Sequence, residues 1–215
     1  MVIGRKKGSH LIFKTQDDLR EAISGLIDIE PKFAPIIDRF GIPSLRRAPN
    51  TLESLLMIVT EQFLSLQAAA AIWGRVKLKL GHLSPETVLA ISQPELVSLG
   101  LSRSKAKCFH ACARARVDFE NRLYLRQSLH DIWGIGPWTV DIFMLTAWGE
   151  ADSWPVGDVA LQVAVQDLFE LPLRPTPAQM EAIAHQWRPS RAAAARLLWA
   201  HYRHLKALPQ APSQN

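Results

Sequence analysis

Apolar residues recur along this chain at intervals of three and four, and nowhere alternate with polar ones for more than a few residues. Between Thr51 and Leu80, the residues Leu55, Ile58, Val59 and Leu66 fall at helical spacing, with Ser65 placed to end one helix and cap the next. The run Ala68 to Ala71 predicts a close helix contact. Ala195, Leu198, Trp199, Tyr202 and Leu205 share one face of a long helix near the C-terminus, a face expected to be core. Helix starts are written out at Ser84-Pro85-Glu86-Thr87, at Ser92-Gln93-Pro94-Glu95, which reads as a capping box, and at Thr176-Pro177-Ala178-Gln179. No Asn-Gly or Asp-Gly hairpin turn occurs, so the pattern predicts an all-α fold of short helices joined by tight turns. Gly149 to Gly157 reads as an exposed, irregular connection leading to Asp158 and the helical pattern Val159, Val163, Val165 and Leu168, and residues 209–215 read as a disordered tail.

A length of 215 residues allows one good core or two small lobes and is short for two independent domains. The expectation is a single unit of two lobes, a central one over about 50–128 and a second from about 1–49 plus 129–208, with the active site in the cleft between them. No apolar run is long enough for a bilayer, and MVIGRKKGSH lacks the apolar stretch of a secretory signal, so a cytoplasmic protein with no membrane partner is expected. The net charge of +5 and pI near 9.5 favour an anionic partner without naming it. Cys108 and Cys112 are the whole cysteine complement, which excludes a disulfide framework and any four-cysteine iron-sulfur cluster.

Chemistry concentrates in IWGIGPWTVD, Ile132 to Asp141. Gly134-Ile135-Gly136 followed by Pro137 has the form of a helix, a Gly-x-Gly hairpin and a helix opened by proline. Carbonyls of such a turn suit a monovalent cation, and the N–H groups of the following helix start suit a phosphate. A dinucleotide-binding reading fails, because Thr139 stands where a third glycine belongs and no strand precedes the turn. Downstream, Trp154-Pro155-Val156-Gly157-Asp158 sets an acid at a helix start, where plain N-capping competes with catalysis. His201 and His204 read as surface residues, Asp141 and Glu61 as helix-face charges, and Arg75, Lys77, Lys79, Arg103, Lys105 and Lys107 as a solvated face or a track for phosphates.

Taken together, hairpin, Gly/Pro-rich loop and acid resemble the helix-hairpin-helix DNA glycosylase superfamily. Glu61-Gln62-Phe63-Leu64-Ser65-Leu66-Gln67-Ala68-Ala69 is similar to the Glu-Gln-Gln-x-Ser-x-x-x-Ala segment of its 3-methyladenine DNA glycosylase II branch. Gly100-Leu101-Ser102-Arg103-Ser104-Lys105-Ala106 is similar to that branch's Gly-Leu-Ser-x-x-Lys-Ala, and Trp187-Arg188-Pro189-Ser190-Arg191 to its Trp-x-Pro-Trp-Arg, with Ser190 departing from the pattern. The resemblance implies a two-lobed helical fold and a monofunctional enzyme of base excision repair. That enzyme would act as a monomer on alkylated bases (3-methyladenine, 7-methylguanine, 1-methyladenine) in double-stranded DNA. Asp158 becomes the catalytic carboxylate, and Trp138 and Trp199 walls of the base pocket. Gly134, Ile135, Gly136, Thr139, Phe63, Leu64, Ser65 and Lys105 become DNA contacts, with Phe63 or Leu64 filling the gap left by the flipped nucleotide. The carbonyls of His130, Ile132 and Ile135 become ligands of a structural Na+ or K+, no cofactor being required. Trp138 occupies the place of the lysine that strand-cutting relatives use, so no lyase activity is expected. The rival readings are a non-catalytic helix-hairpin-helix DNA-binding module, in which Asp158 is only a cap, and a helical hydrolase of free nucleosides.

Overall fold

The computed structural model describes residues 12–208, so the tail expected over 209–215 lies outside the described residues. Among the described residues twelve α-helices, two short 3-10 turns and a π-helical turn at Met144–Trp148 account for the architecture, and the β-type pairing there is a lone bridge between Ile12 and Glu150. The all-α expectation holds. The chain sorts into two compact units, one of residues 48–147 and one formed by residues up to 47 together with those from 148 onward.

The 48–147 unit is built around α3 (Leu52–Glu61), whose residues are buried on nearly every side by α4 (Leu66–Leu80), α7 (Arg103–Ala115) and α9 (Pro137–Phe143). Its short helices α5 (Pro85–Ala90) and α6 (Gln93–Ser98) lie on α7 and open with complete capping boxes at Ser84 and Ser92. The hairpin helices α8 (Arg122–His130) and α9 belong to this unit, so the chain crosses over at 148 rather than at 129, where the sequence pattern placed it. The reason is packing: Val140 and Phe143 of α9 are fully buried, and the Phe143 ring lies 5.6 Å from that of Phe119. The alanine run is a weaker contact than expected, since Ala69 is buried while Ala70 and Ala71 face solvent.

The other unit contains α1 (Gln16–Ile29), α2 (Ala34–Phe40), α10 (Val159–Leu168), α11 (Pro177–Ala184) and α12 (Arg191–Leu205). Trp187 sits at its centre, fully buried, with ring centroids of Phe33, Trp154 and Phe169 at 5.2, 5.6 and 6.2 Å. The small residues Ala192 to Ala195 let α12 enter this core, and burial fades along the helix until Leu205 is 37% exposed. The C-terminal face is therefore core only over its first half.

Candidate active site

Asp158 is the N-cap of α10. Its Oδ1 accepts the Leu161 N–H at 2.9 Å, which satisfies one of the helix's orphan donors and fixes the carboxylate at the positive end of the helix dipole. The same oxygen accepts the indole N–H of Trp199 at 3.4 Å, so α10 and α12 together set the orientation of the acid, and both side chains are half-buried. Cap and charge are thus properties of one residue, and the geometry leaves the carboxylate edge of Asp158 beside an aromatic ring.

The segment before Asp158 is not the exposed connection its composition suggests. Ala151, Ser153 and Trp154 are buried, because the Trp154 ring packs edge-on against Trp187. Ser153 donates to Glu150 Oε2 at 2.6 Å, and Asp152 accepts from Arg188 at 2.7 Å and from Arg191 at 2.8 Å. Arg191, itself only 8% exposed, also donates to Glu181 at 2.9 Å. The motif Trp187-Arg188-Pro189-Ser190-Arg191 thereby serves to brace the loop that delivers Asp158. On the same α12, burial and the nearby guanidinium groups of Arg46 and Arg47 push the Arg196 pKa down to about 10.

In the 48–147 unit the hairpin turn is Asp131 to Gly136. Gly134 adopts φ +89°, and a Cβ there would lie 2.9 Å from Cys108 Sγ. Gly136 has nothing within 4 Å of its Cβ position, so packing inside the protein does not demand a glycine at that place. It is the N-cap of α9 and offers no side chain to the helix start, whereas Ser65, Ser102, Asp158 and Thr176 cap theirs. Ile132 and Ile135 anchor the turn in the core, and the Ile132 carbonyl accepts the Ile135 N–H at 3.1 Å. His130 is exposed at the end of α8. Trp138, in the first turn of α9, is half-buried. Beside the turn, Lys107 Nζ stands 4.0 Å from the centroid of the half-exposed Trp133 ring. Cys108 and Cys112 are buried thiols 3.9 Å apart, and the hydrogen bond with Cys108, together with burial, pushes the Cys112 thiol up.

The loop from Gln62 to Ser65 comes close to the hairpin through a residue to which the sequence pattern gave no role. Gln62 Nε2 donates to Thr139 Oγ1 at 2.8 Å, and Thr139 is buried, so its hydroxyl serves Gln62. A polar residue directly after a helix as buried as α3 was the available signal. Phe63 is fully exposed and sits at φ +56°, a region that costs a non-glycine residue about 1–3 kcal/mol. Leu64 is 41% exposed, and Ser65 caps α4 through the Ala68 N–H. Glu61, at the end of α3, is largely buried, and desolvation raises its pKa.

Lys105 departs from expectation. Its ammonium is buried and donates to the carbonyls of Thr60 at 2.8 Å and Gln62 at 2.6 Å, so it is occupied by the protein's own backbone and not presented to a phosphate. Burial lowers its pKa. Arg75 likewise donates to the Leu99 carbonyl at 2.7 Å, Lys77 pairs with Glu53 at 2.7 Å, and Asp141 pairs with Arg126 at 2.9 Å. His201, expected at the surface, has a largely covered side chain and pairs with Asp167 at 2.7 Å. Among the described residues no group of three His, Cys, Asp or Glu side chains is placed to hold a metal ion, and no helix is long and apolar enough to cross a membrane.

Comparison with known proteins agrees with the hairpin and its surroundings. Over 198 residues the chain is 23% identical to the alkylbase DNA glycosidase-like protein mag2 of Schizosaccharomyces pombe, covering 85% of this chain and 93% of that one. It is 29% identical over 126 residues to the putative DNA-3-methyladenine glycosylase YfjP of Bacillus subtilis, covering 54% of this chain but only 43% of that relative's length. Among solved structures, a DNA-3-methyladenine glycosidase from Bacillus halodurans superposes with a TM-score of 0.70 at 25% identity, covering 92% and 94% of the two chains. The 3-methyladenine DNA glycosylase of S. pombe in complex with abasic DNA superposes with a TM-score of 0.72 at 23% identity, covering 88% and 97%. A family model described as HhH-GPD superfamily base excision DNA repair protein matches residues 56–189, which contain the Gln62 to Ser65 loop, the hairpin and Asp158. The chain belongs to the HhH-GPD superfamily of base excision DNA repair proteins.

Proposed function

We propose that the protein is a monofunctional DNA glycosylase that releases alkylated purines from duplex DNA, with Asp158 as its catalytic carboxylate. The observation that carries this reading is the Asp158 carboxylate fixed by the Leu161 N–H and the Trp199 indole, in a chain whose relatives bear the names of alkylbase and 3-methyladenine glycosylases.

The bases in question, 3-methyladenine, 7-methylguanine and 1-methyladenine, carry positive charge once alkylated at a ring nitrogen, so they leave without a general acid. Removing the base from the stack costs a few kcal/mol, less when the base is damaged. The faces of Trp138 and Trp199 attract the cationic ring, each contact being worth about 0.5–2 kcal/mol. As the N-glycosidic bond breaks, its electron pair stays with the base and an oxocarbenium ion develops on the sugar. A carboxylate about 4 Å away, at an effective dielectric near 20, stabilises that ion by about 4 kcal/mol, on the order of a thousandfold in rate. Water then adds to the sugar carbon and loses a proton, for which Asp158 is the acceptor within reach. With Trp138 in place of a nucleophilic lysine, the product is an intact strand with an abasic site.

The hairpin holds the DNA backbone. Gly136 leaves the start of α9 uncovered, so a phosphate can approach the Thr139 N–H, and Gly134 and Ile135 shape the turn. Phe63 and Leu64 are the exposed apolar side chains for the space vacated by the flipped nucleotide, and Ser65 holds the start of α4 behind them. The carbonyls of His130, Ile132 and Ile135 are neutral oxygen donors around one tight turn, of the kind a monovalent cation accepts, although the Ile132 oxygen already carries one hydrogen bond. Bound there, Na+ or K+ would add positive charge beside the phosphate contact, and the reaction itself requires no cofactor.

The deciding experiment is base release from methylated duplex DNA by wild type and Asp158→Asn, with DNA affinity of both recorded at one salt concentration. Release by wild type, with a variant that binds but releases about a thousandfold more slowly, is expected. The capping bond of Asp158 favours the module reading as the runner-up, and binding by both proteins with release by neither would establish it.

A further inference from the structure

The exposed Phe63 raises a physical question. A large apolar side chain held wholly in water, on a backbone with positive φ, pays twice for its position and relaxes unless the surroundings over-determine it. The backbone around it is a turn of recognisable type. Gln62 has φ −50° and ψ 127°, Phe63 has φ +56°, and the Leu64 N–H returns to the Glu61 carbonyl at 3.2 Å. These are the features of a type II turn, in which the third residue is usually glycine. Its unstrained alternative, type I, differs by a flip of the central peptide, here the one joining Gln62 to Phe63.

The carbonyl of that central peptide belongs to Gln62, and it is the one that Lys105 grips at 2.6 Å. The same ammonium takes the Thr60 carbonyl at 2.8 Å, among the orphan acceptors at the C-terminal end of α3. Lys105 stands in the first turn of its own helix α7, the end of the dipole where a cation is disfavoured, and reaches the end of α3, where one is favoured. On the other side, the Gln62 amide is tied to Thr139 of the hairpin helix. The turn is thus held at its central carbonyl by Lys105 and at its side chain by α9.

We infer that Lys105 is a positioning residue for base excision: by holding the Gln62 carbonyl it selects the type II turn and so keeps Phe63 presented for insertion into DNA. This rests on the glycosylase reading for its consequence in DNA, while its structural content is independent of that reading. Lys105 acts through Phe63 and does not itself touch DNA.

The test compares wild type, Lys105→Met, Lys105→Arg, Phe63→Ala and the double variant Lys105→Met/Phe63→Ala. Three readouts apply to each: single-turnover base release from methylated duplex, affinity for undamaged duplex, and fluorescence of 2-aminopurine placed beside the lesion, which reports unstacking. A fourth, the fluorine spectrum of protein labelled with 4-fluorophenylalanine, with the Phe63 signal assigned by Phe63→Leu, reads the turn without DNA. Lys105→Met should slow release about 10- to 100-fold, a shift of roughly 1.4–2.7 kcal/mol in barrier. Affinity for undamaged duplex should change less than about threefold, the unstacking signal should fall, and the Phe63 fluorine signal should move. Lys105→Arg, which can still donate to both carbonyls, should recover part of each loss. In the Phe63→Ala background the lysine change should add little further slowing, which a general loss of stability would not reproduce. Should Lys105→Met not fold, Lys105→Gln, which keeps a neutral donor group, replaces it. An unmoved fluorine signal overturns the proposal, as does a loss of duplex affinity in step with the loss of release, which would mark Lys105 as a phosphate contact. If wild type releases no base, the glycosylase reading falls, and the fluorine spectrum alone still decides whether Lys105 sets Phe63.

Discussion

The two glycines of the hairpin, separated by Ile135 alone, offer a controlled contrast. At Gly134 an alanine meets two obstacles. Its φ of +89° is left-handed territory, which costs an L-residue about 1–2 kcal/mol. Its methyl would stand 2.9 Å from Cys108 Sγ and 3.0 Å from Cys108 Cβ, and the second of these belongs to the stiff base of a side chain inside α7. Overpacking of this kind costs about 1–3 kcal/mol. Gly134→Ala should therefore lose about 2–5 kcal/mol, a large share of the roughly 5–15 kcal/mol that holds a typical domain together. Gly136→Ala places the same methyl in open space with an ordinary φ of −93°, so the cost to folding is that of a poorer N-cap, about 1 kcal/mol or less. If a DNA phosphate approaches this position, however, the methyl stands in its way. Urea unfolding of both variants, with the slope compared to wild type, and affinity for an undamaged duplex at fixed salt measure the two effects separately. Gly134→Ala should fail chiefly in stability and Gly136→Ala chiefly in binding. Equal stability losses, or a Gly136→Ala protein that binds as wild type does, would refute the assignment of one glycine to the core and the other to the ligand.

Two further outcomes follow from the site. Asp158→Asn preserves an N-cap acceptor and should unfold within about 0.5 kcal/mol of wild type, whereas Asp158→Ala loses the cap and should cost about 0.5–2 kcal/mol in the same urea titration. If both abolish base release while differing in stability, charge and cap are separate contributions of one side chain. Glu61 is a carboxylate whose folded pKa is raised by burial, so the folded state binds its proton more tightly than the unfolded chain does. Its contribution is fully present below the unfolded value, and is lost as pH rises through the folded one. Glu61→Gln should accordingly raise the melting temperature relative to wild type at pH 7 and bring no such gain near pH 4. A gain that is independent of pH would mean that burial of the charge is not the cause.

Local chemistry was the readable part of this sequence. Ser65, Ser92, Asp158 and Thr176 cap the helices they were expected to cap, since a cap depends on the next three residues and little else. What escaped the sequence was set by distant partners. The burial of Trp154 depends on Trp187, and Arg191 holds Asp152 beside it; both partners lie more than thirty residues away and turn a Gly/Pro-containing connection into a braced loop. The return of the chain at 148 depends on how α9 packs against α3 and α8, which no local pattern encodes. Lys105 is the clearest case. Its motif announces a cation, and only the position of the α3 terminus shows that the cation is spent on backbone carbonyls.

The helices α5 and α6 are six residues long, well below the roughly 12–15 at which a helix begins to persist alone in water. Their complete capping boxes fix where they start and cannot supply the missing length, so each exists only while it lies against α7. Amide protons in 85–98 should therefore exchange with solvent only when α7 itself comes away, making this stretch and the helix that bears Lys105 a single cooperative unit of opening.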